Sequence, residues 1–438
     1  MDKELIKKEK RARISWYFYD FGNSSYASII LLAVFSIYFK NVVVGDGAEG
    51  TRLWGLSVGI AAAVVAIISP ILGTIADFTR GKKKFMIIFT LLSCVFTTCL
   101  FFVGKGDVFL AMLFFILAEL GYRASQVFYD ALLPEVSTPE TIGKVSGIGW
   151  AVGMLGGILA LVAVLIPIQL LDGFFVPISF LIAAAFFLFA SLPSFFWVPE
   201  TQEATGIPEG ESALKHAFKN LADTFRDAKS YREFIKYMFS YLIYNDGIMM
   251  LMDFAAIIGG TLFGLGDTDL ILLIILLQIT GAIGAWIFGI MADKRSGKES
   301  VLISLVVLIL SILAIFFITS VTWFFVASSI AGFALSAAQA VSRSIVVQLA
   351  PLEKVAEFNG FLSTAGRTST FIGPLVFGAL SFRMSNYYEN RGQVLAVAER
   401  NGMMWGMGAI IAFLVVGCLL LFTVKRIHVE NVSEQEEA

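Results

Sequence analysis

The chain has 438 residues, 58% of them hydrophobic and only 15% charged, with a formal net charge of −2 and a mean hydropathy of +0.82. Soluble domains carry roughly 25% charged residues, so composition excludes a water-soluble globular protein. It also excludes a nucleic-acid binder, which needs a cationic groove interleaved with stacking aromatics.

The basic stretch 1–14 precedes an apolar run too long and too aromatic for the core of a cleaved signal peptide, so it is expected to stay attached as the first span. Runs of about 20 residues, enough to cross roughly 30 Å of hydrocarbon, follow near 15–39, 54–76, 85–104, 108–130, 145–166 and 174–198. A second set falls near 234–262, 270–292, 300–318, 322–347, 358–382 and 402–424. The expected fold is an all-α membrane protein of twelve transmembrane helices in two six-helix bundles, 15–198 and 234–424. A cytoplasmic linker, 199–233, joins them, and a cytoplasmic tail spans 425–438.

Within the linker, Leu214, Phe218, Leu221 and Phe225 recur at helical spacing, as in a helix lying along a membrane surface. With the N-terminus inside, 23 of the 32 Lys and Arg residues fall on the inner side and six on the outer, which places both termini in the cytoplasm and the chain in the cell (inner) membrane. Cys94, Cys99 and Cys418 sit in apolar runs, and His216 and His428 lie in polar segments. No metal, disulfide framework or cofactor is expected. The spans hold no Ser/His or Cys/His pair and the chain has no nucleotide-binding loop, so an enzyme is not expected either.

The two halves repeat. Gly73-Thr-Ile-Ala-Asp77 before Arg80, Gly81 and Lys82 is matched by Gly289-Ile-Met-Ala-Asp293 before Lys294 and Gly297, at an offset of 289 − 73 = 216. Gly156 and Gly373 correspond at 217. Their glycine-rich helices read as close-packing surfaces that let helices slide.

Ionisable residues within spans are costly and therefore informative. Spans 3, 6, 9 and 12 have none between their ends. Span 1 carries Asp20, span 4 carries Glu119, Arg123 and Asp130, span 7 carries Asp246 and Asp253, span 10 carries Arg343 and span 11 carries Arg367. Charge recurring on every third helix is what a threefold inner repeat around a central cavity would place there.

At this point the chain resembles the major facilitator superfamily, in which helices 1, 4, 7 and 10 line the pathway. The resemblance implies that Gly73, Asp77, Arg80 and Gly81, with Gly289 and Asp293, form a conformational latch on the cytoplasmic side, to which Asp130 at the end of span 4 is added. Both copies place three residues between the aspartate and the second glycine. More narrowly, Tyr19-Asp20-Phe21-Gly22-Asn23-Ser24 and Phe128-Tyr129-Asp130-Ala131-Leu132-Leu133-Pro134-Glu135 look like signatures of the vacuolar-effluxer-like branch. That branch implies export of amino acids or similar small solutes.

Three site expectations follow. Arg123 lies between two carboxylates, Asp20 and Glu119, and pairing with one leaves the other to take up and release a proton. The alternative is a permanent ion pair fixing helices 1 and 4. Tyr244, Asn245 and Asp246, beside a helix-loosening Gly247, face Gln339 and Arg343 across a polar substrate site, with Asn23 contributing to the same pathway and Arg367 serving either that pathway or the interface facing span 2. Tyr19, Tyr26, Tyr122 and Tyr129 form a stripe suited either to packing or to stacking a ring.

The reading is a monomeric secondary active transporter for a small polar solute, proton-coupled and exporting. The competing readings are a cation-coupled glycoside symporter, and a lipid flippase or non-transporting receptor on the same scaffold.

Overall fold

The computed structural model describes residues 3–45, 47–79, 81–137, 142–171, 175–200, 232–294, 296–349, 366 and 370–425. The side chains of Asp77, Asp293 and Arg343 fall outside the described set, as do Arg80, Arg367 and the expected linker helix around Leu214.

Twelve long helices are described. They are α1 (Lys3–Tyr26), α2 (Ala48–Thr79), α3 (Lys82–Cys99), α4 (Val108–Ala131), α5 (Ile142–Leu171) and α6 (Val176–Trp197) in the first half. The second half has α7 (Arg232–Phe263), α8 (Asp267–Lys294), α9 (Gly297–Ile315), α10 (Val321–Leu349), α11 (Ile372–Glu389) and α12 (Leu395–Thr423). Eleven spans are long and apolar enough to cross a membrane; the twelfth helix, α11, is described only from Ile372 onward.

The first span departs from expectation. Beyond Tyr26 it continues through π-helical turns at Ala27–Ala33 and Phe39–Gly45, so the apolar segment runs from Lys7 to Gly45 instead of 15–39. π-Turns widen the backbone locally and re-aim side chains, a common device at functional sites. Hydropathy alone does not register them.

The packing pattern repeats between halves. In the first, α1 packs on α5 and α6, and α4 on α2 and α3, while α3 also meets α6. In the second, α7 packs on α11 and α12, and α10 on α8 and α9, while α9 meets α12. The bundles then join through α2 against α11 and α5 against α8, a reciprocal pair of contacts.

Glycine makes these approaches possible. A methyl group on Gly121 of α4 would lie 2.5 Å from the Ser93 nitrogen of α3, and one on Gly156 of α5 would strike the Phe21 carbonyl of α1. Without a hydrophobic drive between helices in lipid, such backbone-to-backbone packing is a main source of association.

Polar contacts fix the ends. Arg13 donates to the Val136 carbonyl, Lys83 to that of Val198 and Lys298 to that of Phe422, while the Lys425 amide donates to Glu233. Both ends of the described chain therefore lie at one end of the bundle. At the opposite end, Gly264 with φ +65° closes α7, its amide donating to Gly260.

Candidate functional site

The charges of α4 and α7 meet where the two bundles face each other. Glu119 and Arg123 are four residues apart and so share one face of α4. The guanidinium Nε donates to Glu119 Oε1, and Nη1 donates to Thr370 Oγ1 of the second half at 3.1 Å. Among the described residues Arg123 is ion-paired with Glu119 and not with Asp20. The i, i−4 partner needs no rearrangement between helices, and the Asp20 carboxylate is turned instead against α5.

Asp246 and Asp253, seven residues apart on α7, face the same region: the Arg123 charge acts on both, and the charge of Glu119 acts on Asp253. Asp246 Oδ2 accepts the Gly373 amide at 3.0 Å. Glu119 is thus ion-paired with the guanidinium and Asp246 and Asp253 lie within reach of its charge, each of the three carboxyls being at most 4% exposed. Glu119 Oε2, Asp246 Oδ1 and Asp253 Oδ2 accept no hydrogen bond from any described residue. Burial without a full set of partners costs free energy.

Asp246 has a counterpart. In the first half, Asp20 of α1 lies against Gly153 of α5, where a methyl group would come within 2.8 Å of Oδ2. In the second, Asp246 of α7 lies against Gly373 of α11, where a methyl group would come within 2.7 Å of Oδ1. Each half seats an aspartate of its first helix on a glycine of its fifth.

Asn23 donates to Asp20 at 3.3 Å and Ser24 Oγ donates to the Asp20 carbonyl. Asn245 is held from two sides, donating to the Gly366 carbonyl at 3.2 Å and accepting from Gln339 Nε2 at 3.4 Å. The structure therefore brings Asn245 and Gln339 together, whereas the Arg343 side chain and Arg367 lie outside the described residues. Tyr244 shares its hydroxyl with Ser342 at 2.7 Å inside the second bundle.

One expectation is corrected. Gly247 does not loosen α7, which is continuous from Arg232 to Phe263; it is a packing position, where a methyl group would lie 3.3 Å from Leu414 of α12. Of the two uses open to the tyrosine stripe, the structure shows packing: Tyr129 lies between Trp16 and Tyr19 at centroid distances of 4.3 and 4.8 Å, and Tyr26 stacks on Tyr122 at 4.6 Å.

The latch residues are only partly described. Gly81 precedes α3 and its amide donates to Ala76 at 2.9 Å. Gly289 lies in α8 with open space beside it, and Asp130 is half-buried at the end of α4. Gly73 lies in α2.

Sequence reasoning missed the closure at the end remote from the termini. Lys40 of the first span donates to Thr261 of α7 at 2.7 Å and lies 3.6 Å from Glu399 of α12, with side chains 5% and 9% exposed. Just inside it, Trp54 Nε1 donates to the Asp253 carbonyl at 2.8 Å. Gly55 abuts the Pro374 carbonyl, and a methyl on Gly378 would meet the Thr51 carbonyl at 3.2 Å. Lys40 and Glu399 read as loop charges because each sits at the edge of an apolar run; their separation of more than 350 positions gave no signal of contact.

The family described as "Vacuole effluxer Atg22 like" matches residues 54–391. A Bacillus subtilis protein, the uncharacterized MFS-type transporter YxiO, is 27% identical over 380 residues, covering 85% of this chain and 89% of its own. Autophagy-related protein 22 of Yarrowia lipolytica is 22% identical over 56% of this chain and 46% of its own. In fold, the chain is similar to a bacterial homolog of the human lysosomal transporter Spinster, with a TM-score of 0.70 at 15% identity, covering 98% of both chains. It is likewise similar to the nucleoside transporter NupG, with a TM-score of 0.67 at 13% identity, covering 95% of this chain and 98% of that one. The chain belongs to the vacuole effluxer Atg22-like family and is a multi-pass membrane protein of the major facilitator type.

Proposed function

We propose that this transporter exports a small polar solute, an amino acid or a similar zwitterion, and that proton movement on the carboxyls between the bundles is coupled to the exchange of access. The observation that carries the reading is the excess of carboxyls near Arg123: among the described residues, Glu119, Asp246 and Asp253, if all ionised, would set three negative charges against one guanidinium. Such an excess in a low-dielectric interior is relieved by protonation or by a cationic group of the substrate. A solute ammonium fits the carboxyls, while its carboxylate fits the cationic side of the site, to which Arg343 and Arg367 are assigned. Asn23, Tyr244, Asn245 and Gln339 supply neutral hydrogen-bonding groups along the pathway, and Asp20 is the first half's counterpart of Asp246.

In this reading the closure around Lys40, Thr261 and Glu399 is the outer gate, and the end bearing the termini is cytoplasmic. The latch of Gly73, Asp77, Arg80, Gly81, Asp130, Gly289 and Asp293 governs the inner side. The description of the family as an effluxer supports the export direction.

The test is solute flux in proteoliposomes containing purified protein, using labelled amino acids, dipeptides and nucleosides with and without an imposed pH gradient. The expected result is gradient-driven accumulation of one amino-acid class, lost in Glu119→Gln and Asp253→Asn variants that still melt cooperatively. Transport that is indifferent to the gradient and to both substitutions would reject proton coupling through this cluster.

A further inference from the structure

We propose that the groove between the start of α1 and the end of α6 is a binding site for an anionic glycerophospholipid of the adjoining leaflet. The groove encloses about 520 Å³ and is cationic at one end and apolar at the other. Lys7, Lys10 and Arg11 line the outer part, and Ile14, Phe18 and Trp197 the inner part. The α1 positions recur every three to four residues, so they form one stripe of the helix. From Lys7 to Phe18 the stripe is about 16 Å long at 1.5 Å per residue. Its order of charges followed by exposed hydrocarbon is the order of an amphiphile's headgroup and upper chains.

The cationic end is built for an anion. The Arg11 guanidinium carbon lies over the Trp197 ring at 3.5 Å from the centroid, a cation–π contact that positions the side chain, and a guanidinium is the cation best suited to a phosphate. Lys7, Lys10 and Arg11 are exposed, and none makes an ion pair among the described residues. Arg13 differs: it turns inward and donates to the Val136 carbonyl. Among the described residues of this segment the acidic ones are Glu4, one turn farther out on the same stripe, and Glu9, on another face.

The apolar end is equally specific in placement. Ile14, Phe18 and Trp197 are each between 42% and 44% exposed, and Pro193 of α6 lies beside them on the groove wall. A tryptophan at the depth where charge gives way to hydrocarbon marks a membrane interface. A free inorganic anion would use only the cations; a lipid uses the whole stripe. Basic pockets between spanning helices bind anionic headgroups by this combination.

The experiment uses the full chain in detergent and native mass spectrometry with phosphatidylglycerol and phosphatidylcholine of identical acyl chains. Wild type is expected to retain phosphatidylglycerol at least tenfold more tightly than phosphatidylcholine. The preference should fall tenfold or more in the Lys7→Gln/Lys10→Gln/Arg11→Gln variant, since each cation near an anionic headgroup contributes about fivefold. Lys84→Gln, which neutralises an exposed lysine at the same end of the bundle, should leave it unchanged. Trp197→Leu keeps every charge and should weaken phosphatidylglycerol retention severalfold with the melting temperature preserved, which decides the matter if the triple variant misfolds. An undiminished preference in a folded triple variant and in Trp197→Leu would overturn the proposal, as would displacement of the lipid by an equal concentration of inorganic phosphate.

Discussion

Arg123 Nη1 donates to Thr370 Oγ1 at 3.1 Å, so the guanidinium that neutralises Glu119 within the first bundle is also tied to the second. One side chain serves both the internal balance of α4 and the contact between halves. Removing it has two separable effects. Arg123→Gln should lower stability by about 3–5 kcal/mol because Glu119 is left as an unpaired buried charge. Glu119→Gln in the same chain should recover most of the loss, as read by thermal melting in detergent. Thr370→Val, which deletes the Arg123 contact between halves and leaves the Glu119 pair intact, should cost about 1 kcal/mol.

The Lys40, Thr261 and Glu399 contact joins three helices from both halves in a nearly dry environment. Lys40→Met should favour states in which this end is open, because Glu399 then gains by rehydration. The measurement is the rate at which an impermeant maleimide labels Thr261→Cys. It should rise about five- to thirtyfold, matching a shift of about 1–2 kcal/mol, and Glu399→Gln should raise it without adding to the effect of Lys40→Met.

Two glycines distinguish closure from folding. Gly55 abuts the Pro374 carbonyl across the halves, whereas Gly156 abuts the Phe21 carbonyl within the first. Gly55→Ala should therefore raise labelling at the outer end while the melting temperature changes little. Gly156→Ala should destabilise the first bundle, with a cost of about 1–3 kcal/mol from overpacking.

Carboxyl substitutions test the coupling. An amide at 246 or 253 imitates the protonated form, so Asp246→Asn and Asp253→Asn should flatten the pH dependence of transport while the wild-type rate varies with pH. Exchange of solute across the membrane, which needs no net proton movement, should survive in at least one of them.

Much of this organisation is written in local chemistry. Twelve apolar runs predicted the helices, the 216-residue offset predicted two related bundles, and charge confined to particular spans pointed to the interface where Glu119, Arg123 and Asp246 now meet. What stayed hidden depends on distance in the chain. Thr370 looked like one hydroxyl among many, and its role arises only because α11 packs on α2 and faces α4 across the interface. Asp253 was visible as a charged residue of span 7, but its place beside Asp246 depends on an unbroken α7, and Gly247 argued for a break. The Trp16, Tyr19 and Tyr129 stack decides what sequence left open: of packing and ring-stacking on a ligand, these residues pack.

The central claim is that the buried carboxyls and the outer closure belong to one moving system. Pulsed electron–electron spin resonance between labels at Val42→Cys and Val394→Cys, with Cys94, Cys99 and Cys418 replaced by serine, measures the width of the outer end directly. We expect two distance populations whose ratio changes with pH in the parent chain and becomes fixed in Asp253→Asn. A single distribution, indifferent to pH and to that substitution, would contradict the account.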